Sequence, residues 1–244
     1  MPYVGNMNTT FTTLTATDAS ITDDLTVTDD ASFGGTVTVS GDNEKVQLGA
    51  GNDLQLYHDG SHSRIKNSTG YLILNSDTGI LLKSEDDGTN YMVVTDAGIV
   101  TKPLQPACHI ELSGVVSNLT VGGASNHTIV FNSELFDQNA DFDTSTGIFT
   151  CPVAGKYLVN LVLRVENIDT AANTYDFIIN TTQRNYGTRM DPDAFDSDTT
   201  FFVSSTVLTY ASANDTIRIQ YYQDSGTSQT DLATAAFLGI HLVA

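Results

Sequence analysis

The sequence predicts an all-β chain, an elongated intertwined β-shaft followed by a larger β-domain. Three observations carry that expectation. Short runs with apolar residues at every second position recur along the chain, separated by Asn, Asp, Gly and Ser clusters. No long segment shows the i, i+3, i+4, i+7 spacing of an amphipathic helix. The polar balance rests on Thr, Ser, Asn, Asp and Gly, with only 16% charged residues, which suits strands joined by tight turns.

The first shaft region spans residues 9–41. Its apolar side chains are sparse: Leu14, Ile21, Leu25, Val27, Phe33, Val37 and Val39. The pieces "LTV" and "TVTV" alternate with period two, one face apolar and one wet. So few apolar groups cannot offset the ordering of that much backbone within one chain. The stretch is therefore expected to pair with other copies, and disordered segments rarely keep such a period.

Residues 42–100 form the second shaft region. Its strand-like pieces are "DLQLYH", with Leu54 and Leu56, then "SRIK", "YLIL", "ILLK", "YMVV" and "GIV". Turn clusters divide them at intervals that mark stacked or intertwined β-structure. The boundaries expected are a particle-docking segment over 1–20, a shaft over 21–101, a hinge over 102–106 and a head over 107–244. The hinge reads "KPLQP", whose prolines break pairing and stiffen the chain.

Within the head, "DTSTGIFTCPVAGKYLVNLVL" holds one of two cysteines. Alternation points Phe149, Cys151 and Val153 at a core. It sends Tyr157, Val159, Leu161 and Leu163 the same way after a "PVAG" turn. A nucleophilic cysteine needs a base or cation beside it. No histidine is near Cys151 in sequence, and "ACHIEL" around Cys108 reads as an ordinary first strand. Both thiols are read as wall. A Cys108–Cys151 disulfide remains open, two buried reduced thiols being the simpler reading.

Charge narrows the function. Ten Lys+Arg stand against 29 Asp+Glu, a formal net charge of −19. No basic run is present for nucleic acid, and the field repels anionic lipid. No apolar run has the length of a membrane helix. The N-terminus lacks the basic flank and apolar core of a secretory signal. No nucleic-acid partner and no membrane insertion are expected.

Chemical candidates are few. His58, Asp59 and His62 in "YHDGSH" fit either a metal site on a three-fold axis or a polar turn, and the turn is favoured. Acidic clusters at 86–89 and 191–198 lack the EF-hand pattern and read as solvated loops. Glycan hydrolysis by paired carboxylates is set aside, because there is no Trp for sugar stacking. No enzyme and no fixed cofactor are expected, though a divalent cation such as calcium suits so acidic a chain. Binding is placed on loops at the head's far end: Asn185, Tyr186, Arg189, Phe195, Asp224, Gln229 and Asp231. Trimer contact or local packing is an equal reading for the apolar members.

Two resemblances sharpen the reading. "LGAGNDLQLYHDGSHSRIKNSTGYLIL" and "YMVVTDAGIV", over residues 46–100, resemble a segment that recurs in tail fibres and related appendages of marine tailed phages. That likeness implies a trimeric shaft on a virion. "FDTSTGIFTCPVAGKYLVNLVL" is similar to the motif of the complement-one-q globular head and its tumour-necrosis-factor-like relatives. Phe142, Gly147, Phe149, Cys151, Pro152, Gly155 and Tyr157 stand in its places. "VLTYASANDTIRIQYYQ" resembles the family's strand–turn–strand, with Asn214 where relatives carry Gly. "AAFLGIHLVA", with Phe237 and Gly239, resembles its last strand. "NYGTRMDPDAFDSDTT" departs from the pattern and is expected to be loop. The likeness covers 108–244 and implies a ten-strand jelly roll that assembles as a homotrimer.

The combined expectation is a homotrimeric phage fibre on the virion surface. It docks on another virion protein through its N-terminus and contacts a host surface glycan or protein through its head. The alternative is a connector or decoration fibre on capsid or tail that binds no receptor. A secreted bacterial adhesive is a third reading, and would call for an export signal.

Overall fold

The computed structural model describes residues 26–121, 125–195 and 200–244. The chain divides into two compact units, Met1–Leu74 and Asn75–Ala244. Leu14, Ile21 and Leu25, with the docking segment 1–20, lie outside the described residues.

In the first unit, β1 (Lys45–Leu48), β2 (Leu54–His58) and β3 (Ser63–Asn67) make an antiparallel meander in the order β1-β2-β3. Its turns follow from the sequence. Gly49 and Asn52 take positive φ in the first, and Gly60 in the second. Asp59 closes the second turn by accepting from the Ser61 and His62 N–H groups at 3.0 and 2.8 Å. Residues 26–39, with Val27, Phe33, Val37 and Val39, form no strand within the chain, and those four side chains are exposed. "YLIL" at 71–74 forms no strand either, against expectation, and Tyr71 is 93% exposed. Its apolar residues run consecutively without a paired neighbour to define a face.

The second unit opens with another meander, β4 (Gly79–Lys83), β5 (Asn90–Thr95) and β6 (Val100–Thr101). The 102–106 segment follows and is tied to the head. Gln138 Nε2 donates to the Lys102 and Pro103 carbonyls, Asn139 Nδ2 to Leu104 O, and Gln105 Nε2 to Leu242 O.

The head holds β7 (Ala107–Glu111), β8 (His127–Thr128), β9 (Ser133–Asp137), β10 (Phe142–Asp143), β11 (Ile148–Thr150), β12 (Gly155–Glu166), β13 (Thr174–Thr181), β14 (Asn185–Met190), β15 (Phe201–Ala211), β16 (Thr216–Asp224) and β17 (Asp231–Leu242). A five-stranded sheet runs β15-β12-β17-β7-β9. A six-stranded sheet runs β10-β11-β16-β13-β14, with β8 also on β16. Among the described residues eleven strands thus stand where ten were expected, and two of them, β8 and β10, are two residues long. Among the described residues there is no α-helix, only a single turn of 3-10 helix at Pro192–Ala194.

The core fills the space between the two sheets. β12 buries Tyr157, Val159, Leu161 and Leu163 by strict alternation, and β16 buries Ile217, Ile219 and Tyr221. Phe149 and Cys151 point inward as the alternation requires. Val153 does not: it is 45% exposed, because the chain bends at Pro152 before β12 begins. "NYGTRM" is the second correction. It is β14, paired residue for residue with β13.

Candidate interaction surfaces

The "DTSTG" stretch shows how sequence sets the head's local geometry. Asp143 accepts from the Ser145 N–H and hydroxyl and from the Thr146 hydroxyl, closing the β10–β11 turn. Those bonds, Ser145's hydroxyl foremost, hold its carboxyl below the usual value. Gly147 completes the turn at φ +73°, where an added Cβ would lie 2.8 Å from Ile129 O. Phe142 then pairs with Phe149, and Phe149 meets Tyr157 edge to face at 5.8 Å. The Tyr157 hydroxyl donates to Val153 O at 2.8 Å. Gly155 leaves no room for a side chain against Leu242 and Ala244. These motif residues build and pack the fold, Pro152 being exposed at the bend.

Both cysteines are free and fully buried. Burial, then nearby Asp137 for Cys108 and Asp215 for Cys151, pushes each thiol up to about 12. Burial thus disfavours the thiolate at both positions, as the wall reading expects.

The polar candidates are spent on structure. Asp59 binds Arg64 as well as its own turn, and the Arg64 side chain chiefly draws its carboxyl down to about 2. Among the described residues no three His, Cys, Asp or Glu side chains converge as a metal would need. Asp137 Oδ1 and Asp141 Oδ2 are buried without a hydrogen-bond partner. Burial first, then Asp137, raises the Asp141 carboxyl.

The binding candidates do not form one cluster. Asn185, Tyr186 and Arg189 lie on strand β14, not on loops. Asn185 sits at the hinge end of the head, beside the Thr181–Arg184 turn, opposite to the expected end. Its side chain accepts from Asn180. The Tyr186 hydroxyl donates to Thr209 at 3.0 Å. Arg189 makes a two-pronged pair with Asp176 at 2.8 and 2.7 Å. Phe195 stacks on Phe201, ring centres 5.3 Å apart, and packs against the core.

Asp224, Gln229 and Asp231 do meet at the far end. Asp231 accepts from the Asn118 N–H and from Asn167, Gln229 donates to Ile168 O, and Asp224 accepts from Asn173. Buried Asp169 anchors this network through the Thr227 N–H, the Thr227 hydroxyl and the Ala171 N–H. Burial alone would raise its carboxyl, but those bonds outweigh it and hold the group low.

Sequence reasoning missed an exposed apolar surface of the head. Strands β12 and β15 are apolar on both parities, so while one set fills the core another faces out. Leu158 pairs with Leu208 and Lys156 with Tyr210. Across β17 and β7, Phe237 stacks on His109 at 5.0 Å, and Phe136 lies 6.2 Å beyond. On this outer face Phe202 is 61%, Tyr210 58%, Leu208 57% and Phe136 44% exposed. The signal was present in "YLVNLVL" and "FFVSSTVLTY", whose apolar residues are too many for one face.

Two sheets with this motif at their centre are matched by the C1q domain model over residues 114–242, half of the chain or more. The chain belongs to the C1q domain family. Solved structures similar to this C1q domain include the globular domain of zebrafish complement 1qA, at 20% identity, covering 57% of this chain and 98% of that one with a TM-score of 0.41. Murine APRIL is similar at 10% identity, with 57% and 99% coverage and a TM-score of 0.42. Eiger TNF from S. frugiperda is similar at 14% identity, with 57% and 94% coverage and a TM-score of 0.40. No curated protein matches the sequence. C1q and TNF-like domains are in general binding domains without enzymatic activity, and they typically form homotrimers.

Proposed function

We propose that the protein is a homotrimeric virion fibre of a tailed phage whose C1q head meets the host surface. One observation carries the assembly: the bare apolar face of the five-stranded sheet around Leu158, Leu208, Tyr210 and Phe237. A monomer that left such a face in water would aggregate, while three copies closing on it bury it. The virion assignment is supported by the phage-fibre likeness of residues 46–100. In this reading residues 1–20 dock on a virion protein, 21–101 form the shaft and the head is distal. Three heads per fibre turn weak contacts with a surface glycan or protein into avidity.

The far-end network favours a second reading. Asp231, Asp169 and Gln229 spend polar atoms on Asn167, Thr227 and the Ile168 carbonyl within the chain, as a connector fibre with no receptor would. Two measurements separate the possibilities. Light scattering should give three times 26.2 kDa, falling to one chain in Leu208→Asp. Fluorescent wild-type trimer should label cells of the host and compete with phage adsorption. A trimer that does neither is a connector, and a wild-type monomer removes the assembly altogether.

A further inference from the structure

The two sheets that precede the head share one plan. In the first, Val46, Leu56 and Ile65 pair in register as a straight row, and Leu48 and Leu54 form the next. Alternation puts these five side chains on one face. The other face carries Lys45, Gln47, Gln55, Tyr57, Arg64 and Lys66, with Lys45 Nζ 5.0 Å from the Tyr57 ring centre. The second sheet repeats the aliphatic row but not the polar reverse, where Leu81 and Val93 pair beside Thr101. Ile80, Val94 and Val100 form a row, with Leu82 and Met92 beside it.

Among the described residues neither face is fully covered. Ile65 is 62%, Leu48 51%, Leu82 52% and Val100 57% exposed. A three-stranded sheet of such short strands does not hold together with its apolar face in water. The ten residues of the two faces are all aliphatic or Met, whereas Tyr57 lies on the opposite face of its sheet. Three strands about 4.8 Å apart make a sheet roughly 10–15 Å wide, and a triangle of that side is filled by side chains of Val, Leu and Ile length. An aromatic ring in these rows would be too large for it.

We infer that each sheet packs its apolar face against the same face of two other copies, closing a three-sided prism in which every chain keeps its own β-ladder. The occupant is a second and third copy of this chain. A C1q domain follows the sheets, and domains of that family bring three chains together. Three identical aliphatic faces then arrive at one axis, where closure leaves none exposed. The charged reverse face of the first sheet requires water, which the outside of a prism supplies. This rests on the homotrimer reading above. It differs from an intertwined shaft, whose ladders would cross between chains.

The test uses thiol labelling of the full chain, because Cys108 and Cys151 are buried and silent. Leu56→Cys and Gln55→Cys occupy neighbouring positions on opposite faces of β2, and Val100→Cys and Thr101→Cys do so on β6. In trimer confirmed by light scattering, the inward thiols should react about tenfold or more slowly than the outward ones. Equal rates in an intact trimer overturn the prism and leave the homotrimer standing. A single-chain mass overturns both. Protection of Leu56→Cys that appears only with added phosphatidylcholine vesicles assigns the face to lipid and also overturns it. Should a cysteine disturb the rows, Ile65→Asp against Lys66→Asp gives the same comparison. Only the first should open residues 45–67 to protease.

Discussion

Replacing Gly147 by Ala tests how far the head depends on one backbone approach. The residue sits at φ +73°, a region that costs an L-residue about 1–2 kcal/mol. The new Cβ would also stand 2.8 Å from Ile129 O and 3.0 Å from Val130 Cα. Both are backbone atoms, so the strand itself must shift, at about 1–3 kcal/mol as for an overpacked core. Asn214→Ala supplies the control within the same unit. Asn214 is also left-handed, at φ +69°, but its side chain is exposed, so only the conformational cost applies. Thermal unfolding followed by circular dichroism, at one fixed protein concentration, should place Gly147→Ala below Asn214→Ala. At about 2–4 °C per kcal/mol the gap is roughly 2–12 °C. Equal midpoints would refute the close approach as the reason for glycine at 147.

Two further outcomes follow from buried groups. Asp169 has its folded pKa held low, so its contribution is complete above the unfolded value of about 4 and is lost as pH falls through the lower folded value. Urea midpoints between pH 7 and pH 2.5 should fall more steeply for wild type than for Asp169→Asn, and parallel curves would contradict this. The Cys108 and Cys151 thiols should stay unreactive toward a thiol reagent at pH 8 until the chain unfolds, when two thiols per chain should appear. Prompt reaction in the native state would show the wall reading to be false.

The limits of legibility lie in particular residues. Alternation placed Phe149, Cys151 and Tyr157 correctly because a buried strand has one register that works. It failed at Val153, where a bend resets the faces. Asn214 as a left-handed residue was readable, since few residue types tolerate that geometry. The polar residues of strand β14 read as loop, yet its ladder to β13 needs only backbone groups. For the same reason Asn185, Tyr186 and Arg189 read as loop residues, although all three lie on β14, where Asn185 and Arg189 bond to cross-strand Asn180 and Asp176 and Tyr186 reaches Thr209 on the other sheet. The outer face of the five-stranded sheet was hidden differently. An apolar residue on a strand announces burial, but not whether its own chain or another provides it.

Strand β17 is the middle of its sheet, between β12 and β7. On the ribosome it is the last of the five to emerge. Until then β12 can pair with β15 and β7 with β9, but the two ribbons flank an empty slot with an unsatisfied edge on either side. Insertion of Asp231–Leu242 zips both edges at once, the one with β7 across a separation of more than a hundred residues. Loop closure over that distance is slow. The strands of β1–β3 and β4–β6 therefore wait, their apolar faces uncovered, for a head that finishes late, and a nascent chain is most exposed to stray strand pairing in that interval.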